Sequence, residues 1–176
     1  MSEPSPEQIA ELVGRGMFAN DPASQGMGMQ LTRIAPGRAT MTMTVRESML
    51  NGHQTCQGGF LATLADSAFA FACNSYNEMT VASSFSIDFM APARLDDVLT
   101  ATCLEVSKAG RTGVYDTEVT NQRNERIAVF RGRSYTIKGR PAFAALPPAA
   151  LSSEESANGH DSTRHRRTGS NRASQP

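Results

Sequence analysis

A single carboxylate lies inside the most apolar run of this chain. Residues 60–74 read Phe-Leu-Ala-Thr-Leu-Ala-Asp-Ser-Ala-Phe-Ala-Phe-Ala-Cys-Asn, in which Asp66 and the thiol of Cys73 are the only ionisable side chains. Leu and Ala dominate, and apolar residues cover nearly the whole circumference, as expected of a buried helix. A carboxylate on such a helix is partly desolvated, which raises its pKa and its basicity unless donors compensate. Asp66 is therefore a candidate general base; the alternative is an aspartate at a helix edge that faces water.

A polar, glycine-rich turn precedes this helix and reads Asn-Gly-His-Gln-Thr-Cys-Gln-Gly-Gly over residues 51–59. The pair Gly58-Gly59 at a helix start leaves backbone N–H groups free, and glycine permits close approach by a ligand. Such donors, at the positive end of a helix, suit a carbonyl oxygen that becomes negative during reaction. Gly-Gly pairs are also common in ordinary turns. Taken together, donors for an oxyanion and a carboxylate eight residues further along indicate acyl chemistry.

Other catalytic arrangements have weaker support. His53 is the only histidine outside the C-terminal tail, and the neighbouring Asn51-Gly52 indicates an exposed turn. No Gly-x-Ser-x-Gly elbow is present for Ser-His-Asp catalysis. Cys56 and Cys73 have no obvious histidine partner, so we predict that they are small buried apolar residues. The three cysteines form no metal-like spacing, and we expect no metal site.

The totals bound the class of protein. The chain has 176 residues, with 17 Lys or Arg balanced by 17 Asp or Glu. This length allows one domain with a real core and is short for two. The balanced charge gives no indication of a nucleic-acid partner, and no apolar stretch of about 18 residues predicts a membrane span. An odd cysteine count and an N-terminus without a signal-peptide pattern favour the cytoplasm.

The C-terminal part has a different composition. From about Pro141, Ala, Pro, Ser, Asn, Gly and Arg dominate, with almost no large apolar residues after Leu151. That composition cannot offset the entropy of ordering, so we predict a domain over residues 1–139 and a disordered tail over residues 140–176. The basic run 164–167 in the tail is predicted to be solvated rather than a nucleic-acid site.

The remaining pattern predicts an α+β domain. Residues 5–8 (Ser-Pro-Glu-Gln) form a capping box that begins a first helix, and the cluster at residues 20–22 ends it. The central helix is predicted over residues 58 to about 75. Strands are predicted at residues 28–34 (weakly), 40–45, 79–90, 97–107, 112–121 and 126–138. Short gaps between the last three predict a meander, so one long helix should pack across an antiparallel sheet of five to six strands.

The glycine-rich turn and the central helix resemble a known family. Residues 51–66, continued by Ser-Ala-Phe-Ala-Phe-Ala-Cys-Asn-Ser, look very like the hotdog-fold thioesterases of the phenylacetic acid degradation type. The likeness covers about residues 6–138 and includes Val81-Ala82-Ser83, Ile87-Asp88-Phe89, Thr112-Gly113-Val114-Tyr115-Asp116 and Phe130-Arg131-Gly132. It implies a helix wrapped by a curved antiparallel sheet and a homodimer or a homotetramer built as a dimer of dimers. It also implies hydrolysis of acyl-coenzyme A thioesters with an aromatic acyl group, such as phenylacetyl or hydroxyphenylacetyl.

The resemblance implies a role for several positions. Asp66 matches the family's catalytic acid, which acts as general base on water or as nucleophile. Asn51 matches a residue that helps place the thioester or water, and Gly58 matches the backbone donor to the thioester carbonyl. A serine on the strand after the helix orients the water in some relatives. Ser83 and Ser84 compete for that role here, because neighbours on a regular strand point to opposite faces.

One position departs from the family pattern. Where the family has His-Gly-Gly, this chain has Gln57-Gly58-Gly59. A glutamine amide can donate a hydrogen bond but cannot become positively charged or relay a proton. We predict that activity is retained, with Gln57 assisting Gly58 and with Gly59 close to the substrate. Lys108 and Arg111 are candidates to meet coenzyme A phosphates, the alternative being a solvated hairpin tip.

The predicted function is therefore acyl-CoA hydrolysis, with no cofactor because coenzyme A is part of the substrate. Its sites are expected between subunits, since a lone hotdog domain exposes one end of its central helix to a partner. Two other classes stay open. A non-catalytic acyl-CoA-binding hotdog protein is supported by the missing histidine. An enoyl-thioester hydratase usually pairs a histidine with the acid, and none is placed for that here.

Overall fold

The computed structural model describes residues 3–144. Helix α1 (Pro6–Ala19) begins at the predicted capping box: the Ser5 side chain accepts a hydrogen bond from the Gln8 N–H, and the Gln8 side chain accepts one from the Ser5 N–H at 2.8 Å. A second, short helix that the sequence analysis did not predict, α2 (Pro22–Gly26), follows at once. Asp21 caps it by accepting a hydrogen bond from the Ser24 N–H at 3.0 Å. The cluster that ends α1 therefore also begins α2.

The strands form a single antiparallel sheet, and all six lie close to the ranges predicted from the sequence. They are β1 (Gln30–Ala35), β2 (Arg38–Thr44), β3 (Thr80–Phe89), β4 (Val98–Ala109), β5 (Thr112–Thr120) and β6 (Arg126–Thr136). Their order across the sheet is β1-β2-β4-β5-β6-β3. The meander of the last three strands is confirmed, and β1 and β3 form the two edges.

One long helix, α3 (Gly58–Asn74), packs across the inner face of this sheet. Phe69 of α3 is buried with its ring edge-on to Tyr115 of β5, with ring centroids 5.4 Å apart, and 5.8 Å from the ring of Phe130 on β6. A short 3-10 helix (Glu47–Met49) connects β2 to the turn before α3. The predicted α+β architecture, with a central helix on a six-stranded antiparallel sheet, is confirmed.

Helix α3 keeps one stripe that the sheet does not cover. Its buried positions include Leu61, Leu64, Ala65, Ala68, Phe69 and Ala72. The opposite stripe, at helical spacing, consists of Gly59, Thr63, Asp66 and Ala70; the first two are exposed and the last two half-buried. The prediction of a helix buried around its whole circumference is therefore wrong on the side that carries Asp66. The same stripe is where a ligand or a second chain can reach α3.

Edge strand β3 is unusually exposed for its apolar content. Phe85 is 50% and Phe89 is 54% exposed. Val81 of the strand and Met90, the residue just after it, are also exposed. In the register with β6, Phe85 lies opposite Gly132 and Phe89 opposite Ala128, which places both rings on the α3 side of the sheet. A long apolar edge with unpaired backbone groups is a template for pairing with another chain.

Residues 140–144, which the sequence analysis assigns to the tail, are in contact with the domain. The Met79 N–H donates to the Arg140 carbonyl at 2.8 Å, and the Phe143 N–H donates to Asn77 Oδ1 at 2.9 Å. The rest of the predicted tail lies outside the described residues. Within residues 3–144, every helix is too short or too polar to cross a membrane.

Candidate active site

Asp66 is half-buried on the uncovered stripe of α3. Burial raises the pKa of its carboxyl above the ordinary value of 3.8, and no hydrogen bond or ion pair within residues 3–144 opposes that shift. It lines a cavity between α1 and α3. A poorly solvated carboxylate without donors is a stronger base than one in water. The structure thus places the Asp66 carboxylate, with a raised pKa, against open space beside the helix.

The first turn of α3 presents free backbone donors. Gln57 is the N-cap residue, yet its side chain caps nothing, and no hydrogen bond within the described residues occupies the N–H of Gly58 or Gly59. A Cβ on Gly58 would lie 2.9 Å from the Phe89 ring, whereas a Cβ on Gly59 would meet nothing within 4 Å. Gly58 is therefore needed inside the domain, where Phe89 lies against it. Gly59 instead leaves open space at the positive end of the helix.

Asn51 organises the turn that leads into α3. Its Oδ1 accepts hydrogen bonds from the His53 N–H at 2.9 Å, the Thr55 N–H at 3.3 Å and the Thr55 hydroxyl at 3.2 Å. No acceptor within residues 3–144 engages its Nδ2 group. The side chain can therefore hold the turn with its oxygen and offer its N–H donors to a ligand.

The separation of donors and base is decisive for the site. Gly58 and Asp66 are eight residues apart on one continuous helix. At 1.5 Å per residue, this places them about 12 Å apart along the helix axis. One carbonyl cannot lie within hydrogen-bond distance of both. Within a single chain the Gly58 N–H donor and the Asp66 carboxylate therefore cannot act on the same thioester. Each still has a suitable environment, a helix N-terminus for the donor and partial burial for the carboxylate.

The cysteines are confirmed as buried side chains. Burial raises the pKa of the Cys56 thiol to about 11 and contributes most to raising that of Cys73 to about 12. Both therefore remain thiols at neutral pH, and neither is a thiolate nucleophile. The Asp66 carboxylate and the N–H donors of α3 therefore remain the candidate groups for acyl chemistry.

Comparison with known proteins agrees with that chemistry. The sequence profile of the thioesterase superfamily matches residues 53–128. The acyl-coenzyme A thioesterase PaaI of Escherichia coli K12 is 46% identical over 123 residues, which cover 70% of this chain and 88% of that protein. The chain belongs to the thioesterase superfamily. Its six-stranded sheet and central helix are the hotdog fold that the sequence predicts.

Solved structures extend the comparison to the fold. The E. coli PaaI structure superposes on this thioesterase with a TM-score of 0.76, at 43% identity and with 77% of this chain and 99% of that chain covered. A hypothetical thioesterase of Streptococcus pneumoniae, solved with coenzyme A, superposes with a TM-score of 0.66 at 26% identity. The match covers 70% of this chain and 97% of that chain. Both matches span nearly the whole of the solved chain.

The structure places Gln57 and the serines of this thioesterase as follows. The Gln57 side chain is exposed at the N-terminus of α3 and has no hydrogen bond within residues 3–144. Ser83 lies at a bulge in β3, and its hydroxyl donates to the Arg133 carbonyl at 3.0 Å. Ser84 lies opposite Arg133. Since the bulge interrupts the regular alternation, the argument that the two serines simply point to opposite faces does not apply here.

Lys108 and Arg111 lie at the other end of α3 from Gly58. The Lys108 ammonium is 2.6 Å from Glu78 and 4.2 Å from the centroid of the Tyr76 ring, both just beyond the end of α3. Arg111 donates to the Tyr135 hydroxyl at 2.8 Å. The two cations of the thioesterase are therefore partly engaged, and neither is near the donors of its own chain.

Two residues of the site region were missed by the sequence analysis. Phe89 lies against Gly58, and Phe143 lies beside the cavity that Asp66 lines. The glycines were the available signal: Gly58 and Gly16 both mark places where an aromatic ring approaches the backbone. Which ring approaches each glycine depends on contacts that are distant in sequence, so the thioesterase sequence alone did not identify them.

Proposed function

We propose that this protein hydrolyses aryl-acyl coenzyme A thioesters, at sites to which two subunits contribute. The observation that carries the proposal is a pair of features on one helix: a half-buried carboxylate with no donor within residues 3–144, and a helix N-terminus whose first N–H groups have no acceptor among those residues. These are the two groups that hydrolysis of a thioester requires: a base for water, and donors for the oxyanion. The E. coli relative is named an acyl-coenzyme A thioesterase, and its solved structure is described as that of a protein from the phenylacetic acid degradation operon. Both descriptions support the proposed substrate class.

In the proposed reaction Asp66 removes a proton from a water molecule whose oxygen attacks the thioester carbonyl carbon. The carbonyl oxygen becomes negative and accepts hydrogen bonds from the Gly58 N–H, assisted by the Gln57 amide. The carbon–sulfur bond then breaks. The carboxylic acid retains the water oxygen, and the proton held by Asp66 passes to the coenzyme A thiolate. Asn51 places the carbonyl or the water with its free Nδ2 donors.

A homodimer resolves the separation of about 12 Å between the two groups on one helix. If two α3 helices run antiparallel about a two-fold axis near Ala62, midway between the two groups, Asp66 of one chain faces Gly58 of the partner subunit. Ala62 lies on the half-exposed side of α3. The apolar edge strand β3 supplies the surface for such a dimer, because its unpaired backbone groups can extend the sheet into a second copy.

The test is release of free thiol from phenylacetyl-, benzoyl- and straight-chain acyl-CoA, measured for the wild type and Asp66→Asn. Removal of a general base should lower kcat by at least ~100-fold. Asp96→Asn is the matched control, because Asp96 is an exposed loop aspartate at a positive φ of 64° that asparagine also adopts. We expect the control to keep wild-type turnover.

Two outcomes contradict the proposal. Near-normal turnover by Asp66→Asn excludes this carboxylate as the base. A wild-type protein that binds acyl-CoA tightly but releases no thiol is instead a binding protein, the alternative for which Gln57 in place of histidine is the specific support. Preference for straight-chain over aryl thioesters overturns only the substrate class.

A further inference from the structure

A cavity of about 380 Å³ lies beside the carboxylate of Asp66. Its walls are the uncovered stripe of α3, the end of α1 and the chain just beyond β6. The apolar part consists of Met17, Ala70, Phe71 and Phe143. The polar groups beside Asp66 are Asn20, Asp21 and Ser67. Small-molecule sites are commonly concave, mostly apolar and of this size, with few polar groups.

Phe143 is held in this wall by close contact with Gly16. A Cβ built on Gly16 would lie 2.5 Å from three atoms of the Phe143 ring, so no other residue at position 16 allows the ring its present place. Glycine inside a helix costs roughly 0.5–1 kcal/mol relative to alanine. Gly16 lies within α1. The position of the Phe143 ring gives a physical reason for a glycine there.

The backbone around Phe143 is also anchored. The Phe143 N–H donates to Asn77 Oδ1 at 2.9 Å, and the Ala142 N–H donates to the Asn77 carbonyl at 3.2 Å. Asn77 has a positive φ of 58°, a conformation that asparagine tolerates better than most residues. Two contacts thus fix the ring: Gly16 of α1 lies against the ring itself, and Asn77 in the turn after α3 binds the backbone that carries it.

A thioester carbonyl beside Asp66 has two substituents, and only one can enter this cavity. The pantetheine arm must continue to a bulky, negatively charged nucleotide, which a cavity of about 380 Å³ lined by Asp21 and Asp66 does not hold. The acyl group is the smaller and less polar of the two. An aromatic acyl group can also pack against the ring of Phe143 in an offset or edge-to-face geometry.

Resting on the proposed thioester hydrolysis, we infer that Phe143, seated on Gly16, is the wall of the acyl pocket and sets the size of acyl group accepted. Removal of its ring enlarges the cavity without touching Asp66 or the N-terminus of α3. Phe143 is then a specificity-determining residue contributed by the chain beyond the sheet. It acts on the choice among acyl groups and not on the hydrolytic step.

The experiment compares kcat/KM for phenylacetyl-CoA and the bulkier 1-naphthylacetyl-CoA in the wild type, Phe143→Ala and Phe143→Trp. We expect Phe143→Ala to shift the ratio toward the naphthyl substrate by at least ~10-fold, the scale of discrimination by an apolar pocket. Phe143→Trp should shift it the other way. Leu12→Ala, an exposed apolar residue of α1 away from the cavity, is the control and should leave the ratio unchanged.

A binding measurement separates this inference from the proposed function. The non-hydrolysable thioethers S-(2-phenylethyl)-CoA and S-[2-(1-naphthyl)ethyl]-CoA correspond to the two substrates. Their Kd values report the size of the pocket without any reaction. If the wild type releases no thiol but Phe143→Ala shifts the Kd ratio, hydrolysis is wrong and the pocket is right. If turnover is normal and both ratios are unchanged in Phe143→Ala, the pocket is wrong and hydrolysis stands. A wild type that binds neither thioether overturns both.

Discussion

Asp66 has a poorer environment for its charge than an aspartate in water. Burial raises its pKa, and no donor within the described residues stabilises the carboxylate. A charged group with no compensating partner lowers stability, because the folded state must desolvate it. Such a cost is typical of residues kept for function, where activity and stability oppose each other. The same burial that suits Asp66 to the proposed role of a base therefore makes it an unfavourable residue for folding.

The stability of Asp66→Asn tests this argument. A raised folded-state pKa means that the folded protein binds more protons than the unfolded chain above pH ~3.9, so the wild type loses stability as the pH rises through that window. Asn cannot ionise and escapes the loss. At pH 7 Asp66→Asn should unfold in urea at a concentration equal to or above that of the wild type, with the difference vanishing below pH ~3.5.

Activity should follow the same titration in the opposite sense. The wild-type kcat/KM is expected to rise with pH as Asp66 ionises, with its midpoint above the ordinary 3.8 of aspartate. For the stability test, an Asp66→Asn protein that unfolds at a clearly lower urea concentration than the wild type at pH 7 would contradict the argument. It would show that a structural partner stabilises the Asp66 carboxylate.

At the scale of elements, glycines in the strands make room for the aromatic core. A Cβ on Gly132 of β6 would lie 2.9 Å from the ring of Phe69, the buried aromatic residue of α3. A Cβ on Gly113 of β5 would lie 2.7 Å from the ring of Tyr115. Both glycines fall in motifs that carry the family resemblance. Their role is therefore explained by packing of α3 against the sheet rather than by contact with substrate.

The pair Gly132→Ala and Gly59→Ala tests that reading. Overpacking at Gly132 forces a buried ring to move and should lower the free energy of unfolding by about 1–3 kcal/mol. At Gly59 nothing lies within 4 Å of the added methyl group. The same substitution there should raise the free energy of unfolding by up to about 1 kcal/mol through helix propensity. Urea denaturation measures both, and equal effects at the two positions would contradict the packing argument.

At the scale of the whole molecule, two surfaces are left without cover by residues 3–144: the stripe of α3 that carries Asp66, and the apolar side of edge strand β3. Phe85 stacks on Phe130, with ring centroids 4.9 Å apart, yet half of its surface stays open. An exposed apolar edge of this kind marks an interaction surface. A second copy placed on β3 covers both surfaces and brings the two catalytic halves together, which is the basis of the proposed dimer.

A charge at Phe85 should separate the copies. Phe85→Glu places a carboxylate on the proposed interface, so we expect light scattering to give the mass of one chain. Thiol release should fall by at least ~100-fold, since the Gly58 donor then comes from no partner. Val106→Glu, at an exposed apolar residue of β4, is the control and should keep at least the dimer mass. A monomeric Phe85→Glu protein with full activity would show that one chain suffices.

The sequence by itself determined the elements and the chemistry that each can offer. The capping box at Ser5 and Gln8, the alternation of the strands and the apolar run of α3 are local signals, and local geometry decides them. Asp66 and Gly58 became candidates in the same way, by residue type and helix position, and the family resemblance implied their roles. Such patterns did not predict the bulge at Ser83 or the short helix α2.

Only the tertiary structure decided how those parts meet. The register of β3 places Phe85 and Phe89 beside α3, and the approach of Phe143 to Gly16 joins residues more than a hundred positions apart. These contacts depend on packing between elements distant in the chain, which no local pattern encodes. The length of the helix had the greatest consequence: two halves of a site that look adjacent in sequence lie about 12 Å apart. A rigid helix cannot bring its own Gly58 to its own Asp66, which is why we propose that a second chain completes the site.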